Sequence, residues 1–372
     1  MVIGIPKETG SGETRVAVSP EAVKKLVKRG FRVWIEKSAG TKAGFPDEDF
    51  QMEGVEMVDA KTAFSAQIVA KILKPSFDEI GQMKKGSVLV SLIEPYKLDG
   101  TFEKLAQAGV EAFGMELIPR TSRAQAMDVL SSQAGIAGYR AVLEASTRYG
   151  RFFPLMMTSA GSAKPAKVMI LGAGVAGLQA IATAKKLGAL VEAYDVRAEV
   201  KEQIQSLGAK FVELDVGEEG SGTGGYAKEL SEEGKKKQQA LLTERLKKSD
   251  IIISTANIPG RKAPVLITEE AVKGMRAGSV IVDMAAANGG NCPLSVADQV
   301  VVKHGVVFIG FTKYPAMVPA DASNFYGHNV INLMDLIVQK KDGAQSLNLN
   351  LEDDIIAAAL VTHSGDIRFK KK

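Results

Sequence analysis

The chain of 372 residues holds one cysteine, Cys292, and only three histidines, His304, His328 and His363. A lone cysteine excludes an internal disulfide framework and fits a reducing compartment. Within Gly-Gly-Asn-Cys-Pro it reads as a buried structural thiol rather than a nucleophile. The histidines lie in three different segments, and no Ser/His/Asp set, Cys/His pair or metal-ligand cluster announces itself. His304, in Val-Lys-His-Gly before an apolar run, reads as a turn residue. Long hydrophobic runs are also missing: the longest nearly uncharged stretch, Val168 to Ala184, has 17 residues, short of a membrane span. The first residues, Met1-Val-Ile-Gly-Ile-Pro-Lys-Glu, lack the basic start and apolar length of a signal peptide and read as a strand. A net charge of +4, without clustered basic and aromatic residues, argues for no nucleic-acid partner. The closing Lys370-Lys-Lys reads as a solvated tail.

What is present is a glycine fingerprint. Val168–Leu171 is fully apolar, as a parallel strand buried on both faces requires. Gly172, Gly174 and Gly177 then form GxGxxG where the period changes from strand to helix. The glycines serve a tight turn, close approach of backbone to a pyrophosphate, and close helix–strand contact. The helix that follows aims free N–H groups and its positive dipole end at the pyrophosphate. Asp195 closes a second strand, Leu190–Tyr194, 18 residues beyond Gly177. Its carboxylate suits the ribose hydroxyls of NAD and repels a 2′-phosphate. Arg197, two residues later, is a group able to meet such a phosphate; the expectation is NAD rather than NADP.

The fold class expected is α/β, with two Rossmann-like, doubly wound parallel-sheet domains and an interdomain cleft. Strand-like runs at 168–171, 190–194, 210–214, 251–255, 280–284 and 306–310 are mostly separated by helical patterns, among them 198–207, 227–247 and 268–275. An N-terminal unit repeats this at 2–5, 32–35, 68–73, 88–93 and 110–115, without a glycine fingerprint. Ser19-Pro20-Glu21 is a good helix start, and Gly30 closes that helix. Long helical stretches at 131–145 and 321–338 flank the nucleotide unit. The expected domains are therefore 1–130 with 321–372, and 131–320. Leu347-Asn-Leu-Asn-Leu and Ala359-Leu-Val-Thr read as strand or hairpin.

Two loops need a reason. Arg120-Thr-Ser-Arg-Ala-Gln-Ala-Met-Asp128 follows the last strand of the first unit, at the strand end where ligands bind in open α/β sheets. Its Arg120, Gln125 and Asp128 suit a carboxamide and its ribose; alternatively an Arg120–Asp128 ion pair ties a polar surface loop. The segment from Gly217 has five glycines in nine residues and then Tyr226. It is either a disordered insertion or a lid whose Tyr226 folds over bound nucleotide.

Most dehydrogenases move a proton with the hydride and need an acid/base for it. Its absence here suggests hydride passing directly between two nicotinamides. Several motifs then carry a family resemblance: Ile3-Gly-Ile-Pro-Lys-Glu, Glu13-Thr-Arg-Val-Ala, Arg120-x-x-Arg-Ala-Gln-x-x-Asp128, Ala137-Gly-Tyr-Arg-Ala, Gly172-Ala-Gly-Val-Ala-Gly-Leu, Gly225-Tyr-Ala-Lys, Ile258-Pro-Gly-x-x-Ala-Pro and Gly289-Gly-Asn-Cys. Over essentially its whole length the chain resembles the NAD(H)-binding domain I, or α subunit, of proton-translocating nicotinamide nucleotide transhydrogenases. The resemblance implies that Arg120, Gln125 and Asp128 position the nicotinamide, with Ser131 beside them. It implies that the backbone of Ala173, Gly174 and Val175 meets the pyrophosphate, with Gly172 and Gly177 in the same cofactor-binding set, and that Asp195, Val196 and Arg197 surround the adenosine ribose. Gly225 and Tyr226 match a mobile-loop tip, and Gln238 a further nucleotide contact. Asn257 stands at another contact, where the family usually has leucine.

The same resemblance implies reversible hydride transfer from NADH to NADP⁺ held by a partner subunit, coupled to proton translocation through a membrane-spanning subunit. It implies a homodimer, peripheral on the cytoplasmic or matrix face of an energy-transducing membrane. The nearest alternative is alanine dehydrogenase, whose substrate-carboxylate partner is matched by Arg15. Its lysine, histidine and aspartate are replaced here by Leu73, Glu94 and Ala287, which predicts no amino-acid oxidation and a structural Arg15. A non-catalytic NAD-binding module is the third reading.

Overall fold

Short apolar strands alternating with capped helices build the first part of the chain. In the computed structural model the described residues are 1–97, 99–215, 231–258, 260–341 and 343–370. The strands β1 (Val2–Ile5), β2 (Arg32–Glu36), β3 (Val55–Val58), β4 (Ile68–Ala70), β5 (Val88–Ser91) and β6 (Glu111–Gly114) alternate with α1 (Pro20–Lys28), α2 (Ala60–Phe64), α3 (Phe77–Gln82) and α4 (Thr101–Ala108). Ser19 caps α1 by accepting from the Ala22 N–H, Pro20 opens it, and Ala22, Val23 and Leu26 are its buried face. Gly30, at φ +89°, follows its end. β3 has no counterpart among the expected strands: its Val-Glu-Met-Val lies half-buried at a sheet edge, too short a pattern to stand out.

β4 and β5 stop short of the apolar runs that announce them, for a specific reason. The Glu8 carboxylate accepts from the N–H groups of Ile72 and Leu73, and Glu116 from those of Ile93 and Glu94. Those donors are lost to the ladder, while Ile72 and Ile93 remain buried.

The helix α5 (Val129–Arg148) follows, and then a hairpin of β7 (Met156–Thr158) and β8 (Gly161–Ala163). Next come β9 (Lys167–Leu171), α6 (Val175–Lys186), β10 (Leu190–Tyr194), α7 (Lys201–Ser206), β11 (Lys210–Phe211), α8 (Glu232–Leu246), β12 (Ile251–Ser254), α9 (Glu269–Gly274), β13 (Val280–Asp283), β14 (Val300–Lys303) and β15 (Val306–Ile309). Their seven-stranded sheet runs β11-β10-β9-β12-β13-β15-β14. All pairings in it are parallel except β14 with β15. β14 is an addition to the expected set, and His304 (φ +53°) and Gly305 (φ +75°) form the two-residue turn of its hairpin. One face of the sheet packs Met169, Leu171, Ile252, Ile281 and Phe308 against Leu242 and Leu246 of α8.

The chain ends with α10 (Pro319–Ile337), a hairpin of β16 (Val338–Lys341) and β17 (Ala344–Leu347), α11 (Asp354–Ala359), β18 (Leu360–His363) and β19 (Asp366–Ile367). The strand expected over Leu347–Leu351 holds only at its first residue, and Asp353 instead caps α11. β18 joins β6 antiparallel, completing an eight-stranded sheet in the order β19-β18-β6-β5-β4-β1-β2-β3. Both of its faces are covered, one by a cluster with Ile3, Val33, Ile68, Val88, Tyr326 and Met334 and the other by Phe64, Val69, Leu89, Leu105 and Val361. Two compact units result: Met1–Gln133 with Pro315–Lys372, and Ala134–Tyr314. Among the described residues no helix is long and apolar enough to cross a membrane.

Candidate functional site

The order β10-β9-β12 makes β9 the point where strand order reverses in the second unit, and ligands of open α/β sheets bind at the strand C-termini there. Gly172, just past β9, has φ +93°, a conformation that a side chain disfavours. A Cβ on Gly177 would lie 1.9 Å from the Gly172 carbonyl oxygen, so only glycine lets α6 approach the strand so closely. A Cβ on Gly174 would meet nothing within 4 Å. Gly174 is the N-cap of α6 and offers its helix no side-chain acceptor. The first N–H groups of a helix have no intrahelical partner, so this end suits a phosphate anion. Val175, the first residue of the helix, is exposed.

Asp195 ends the neighbouring strand and is turned to the glycine turn: its Oδ2 accepts from the Ala173 N–H at 2.7 Å. The Arg197 N–H and Nε donate to Oδ1 at 2.9 and 3.0 Å, and an Arg197 Nη donates to Oδ2 at 3.0 Å. Burial works against the charge, but the guanidinium and the two backbone donors outweigh it and hold the carboxyl below its usual range. Val196 is exposed.

Sequence reasoning missed the brace under this turn. The Thr255 hydroxyl, just past β12, donates to the Leu171 and Gly172 carbonyls at 3.2 and 3.1 Å. Asn291 secures the following loop, its Nδ2 donating to the Ala256 and Pro264 carbonyls at 2.8 Å each. The available signal was a hydroxyl two residues after the run Ile251-Ile-Ile. Asn257 is exposed, with its Oδ1 accepting from Asn288 at 2.9 Å. Gln238 is half-buried on α8. Gly225 and Tyr226 lie outside the described residues. Cys292 is buried, and burial pushes its thiol up to about 11, which fits a structural thiol.

The Arg120–Asp128 loop belongs to the first unit. Ala124 and Met127 anchor it in that unit's core, and the Asn329 side-chain amide donates to the Ala126 carbonyl at 2.8 Å. Asp128 does not pair with Arg120. It caps α5, accepting from the Ser131 N–H at 2.9 Å and the Ser131 hydroxyl at 2.6 Å, so the ion-pair alternative fails. Arg123 is instead tied to Asp353 and Asp354. Arg120 and Gln125 are exposed, and among the described residues neither side chain has a hydrogen-bond partner.

At the matching reversal in the first unit, between β1 and β4, the turn after β1 (Gly10–Glu13, with Gly12 at φ +72°) does not lead straight into a helix, since α1 starts at Pro20, and Glu8 occupies the strand ends. Arg15 is buried and engaged through all three guanidinium nitrogens, donating to both oxygens of Glu13 at 2.8 and 2.7 Å and to Gln133 at 2.8 Å. Glu94 has φ +51° and pairs with Lys97 at 2.5 Å and Lys74 at 3.5 Å. Leu73 and Ala287 carry no ionisable group. Among the described residues no cluster of three or more His, Cys, Asp or Glu side chains is placed to hold a metal. A cavity of about 180 Å³ beside Lys167, Leu190, Arg245 and Lys248 sits at the opposite, N-terminal edge of the second sheet; its cations complement the C-terminal end of α8.

Residues 4–137 match the family model "Alanine dehydrogenase/PNT, N-terminal domain", and residues 141–370 match the "Alanine dehydrogenase/PNT, C-terminal domain". The chain is 46% identical to the NAD(P) transhydrogenase subunit alpha of Cereibacter sphaeroides, covering 99% of this chain and 71% of that one. The crystal structure of transhydrogenase from Sinorhizobium meliloti is similar at a TM-score of 0.86 and 39% identity, covering 99% of this chain and 98% of that one. An L-alanine dehydrogenase structure is more distant, with a TM-score of 0.79 and 28% identity over 99% of this chain and 96% of that one. With this fold, this glycine turn and these relatives, the chain belongs to the alanine dehydrogenase/PNT family and is an oxidoreductase component similar to NAD(P) transhydrogenase alpha subunits.

Proposed function

We propose that the chain binds NADH in its second unit and serves hydride transfer to NADP⁺ held by a separate subunit, coupled to proton translocation through a membrane subunit. The observation that carries this reading is Asp195 set against the glycine turn by its bond to the Ala173 N–H, beside a helix N-terminus without a side-chain cap. When bound, the dihydronicotinamide supplies the hydride, leaving NAD⁺ and NADPH as products. The backbone from Gly172 to Gly177 receives the pyrophosphate, and Asp195, with Val196 and Arg197, receives the adenosine ribose. Gln238, Asn257, Gly225 and Tyr226 are further contacts. Arg120 and Gln125, whose side chains have no hydrogen-bond partner among the described residues, orient the carboxamide with Asp128 and Ser131. Positioning is then the chain's contribution, an orientation effect that needs no acid/base. The active form is a homodimer at the membrane surface, on the cytoplasmic or matrix face.

The amino-acid dehydrogenase alternative is disfavoured by Arg15, whose guanidinium is engaged by Glu13 and Gln133. Mixing the chain with an NADP(H)-binding transhydrogenase domain and an NAD analogue as acceptor is expected to give hydride exchange, followed by absorbance. Tight NADH binding without exchange would leave only a binding module. Turnover of L-alanine with NAD⁺ would restore the dehydrogenase.

A further inference from the structure

The Asp195 carboxylate is saturated. Two oxygens offer four lone-pair sites, and four N–H groups fill them: Ala173 N–H at 2.7 Å, Arg197 N–H at 2.9 Å, and the Arg197 guanidinium twice at 3.0 Å. The backbone pair is fixed by the turn. The guanidinium holds the other two sites, so a ribose diol that Asp195 receives must share or displace them, and the Arg197 side chain remains 44% exposed at the mouth of the turn. A planar guanidinium beside the ribose position is the group best suited to grip a phosphate in bidentate fashion. Here the same bidentate geometry is spent on the protein's own carboxylate. Glu199, exposed, is the other charge acting on it.

We infer that Arg197 is a latent reader of a 2′-phosphate, kept from that role by its pair with Asp195. Selectivity for the non-phosphorylated ribose then resides in the pair rather than in the carboxylate alone. The inference rests on the dinucleotide reading of the site given above. Asp195 does two things: it presents a negative charge where the 2′-phosphate would lie, and it occupies the Arg197 guanidinium beside it. Removing its charge lifts the repulsion and releases the guanidinium together. The Ala173 N–H keeps an acceptor in the asparagine oxygen.

The test is equilibrium binding of NADH, NADPH and 2′-AMP to the full chain and its variants, read by fluorescence and calorimetry. The parent binds NADH and discriminates against NADPH. Asp195→Asn is expected to lose NADH affinity and gain at least tenfold for NADPH and 2′-AMP. Asp195→Ser should do the same and covers a failure of the first variant to fold. Adding Arg197→Gln to either is expected to abolish the gain, and Arg197→Gln alone should still reject NADPH. A gain that survives Arg197→Gln, or no gain in a folded Asp195 variant, overturns the inference while the dinucleotide site stands. Absence of NADH binding by the parent overturns that site reading itself.

Discussion

Gly174 and Gly177 lie three residues apart, yet a methyl group at each has opposite consequences. At Gly177 the new carbon would sit 1.9 Å from a backbone oxygen, and α6 must move away from β9. We expect Gly177→Ala to cost about 1–3 kcal/mol of stability, seen as a lower urea midpoint. At Gly174 the space is empty, so Gly174→Ala should fold with less than about 1 kcal/mol of loss. It should still weaken NADH by about tenfold or more, because the methyl meets the ligand rather than the protein. Equal effects on stability would show that the empty space belongs to the fold. Glu8 supplies a residue-scale prediction with a sign. Burial raises its carboxyl to about 7 despite the opposing charge of Lys71, whose Nζ stands 3.7 Å from an oxygen that has no hydrogen-bond partner. An exposed glutamate ionises near 4.3. Between these values the folded protein keeps a proton that the unfolded chain has released. Glu8's contribution to stability therefore falls as pH rises through that window and stays lowered above it. Relative to the parent, Glu8→Gln should gain about 1–3 kcal/mol between pH 5 and pH 8 in urea unfolding; a constant difference would refute the shift.

Elements are where the sequence was read most directly and where its limits have physical causes. Helix starts were legible because caps are local: Ser19-Pro20 and Thr268 open helices where their chemistry places them. Strand ends were less so, because an apolar run marks burial rather than pairing. Val212 and Leu214 pack in the core although β11 ends at Phe211, and Glu8 and Glu116 end β4 and β5 from distant parts of the chain. β14 was missed although His304-Gly305 is a two-residue hairpin turn, since the crossover pattern around it favoured parallel strands. The α5 start is a test at this scale. Asp128→Ala removes the cap taken by Ser131 and should cost about 1 kcal/mol. It should also speed amide exchange at the first turn of α5, measurable by hydrogen-exchange mass spectrometry; unchanged exchange would show the cap to be dispensable.

Across the whole molecule, the first unit depends on chain that arrives last. α10 buries ten residues, Tyr326 donates to the Lys71 carbonyl at 2.8 Å, and β18 covers the edge of β6. The second unit is continuous from Ala134 to Tyr314. A chain ending at Tyr314 should therefore lose amide protection throughout β1–β6 while β9, β10, β12 and β13 keep theirs, a contrast that hydrogen exchange reads directly. Uniform loss would mean that the second unit does not fold alone.

By itself the sequence determined the α/β class, the glycine turn between a strand and a helix, and the acid at the end of the next strand. Each of these is written in residues adjacent along the chain, where steric and hydrogen-bond rules act locally. Only the tertiary structure decided what those residues face. Thr255 braces the Gly172 carbonyl from 83 residues away, Asp195 reaches back 22 residues to the Ala173 N–H, and Asp128 turns to Ser131 rather than Arg120. Such partners are set by packing, which brings together groups whose separation in the chain carries no trace of their contact.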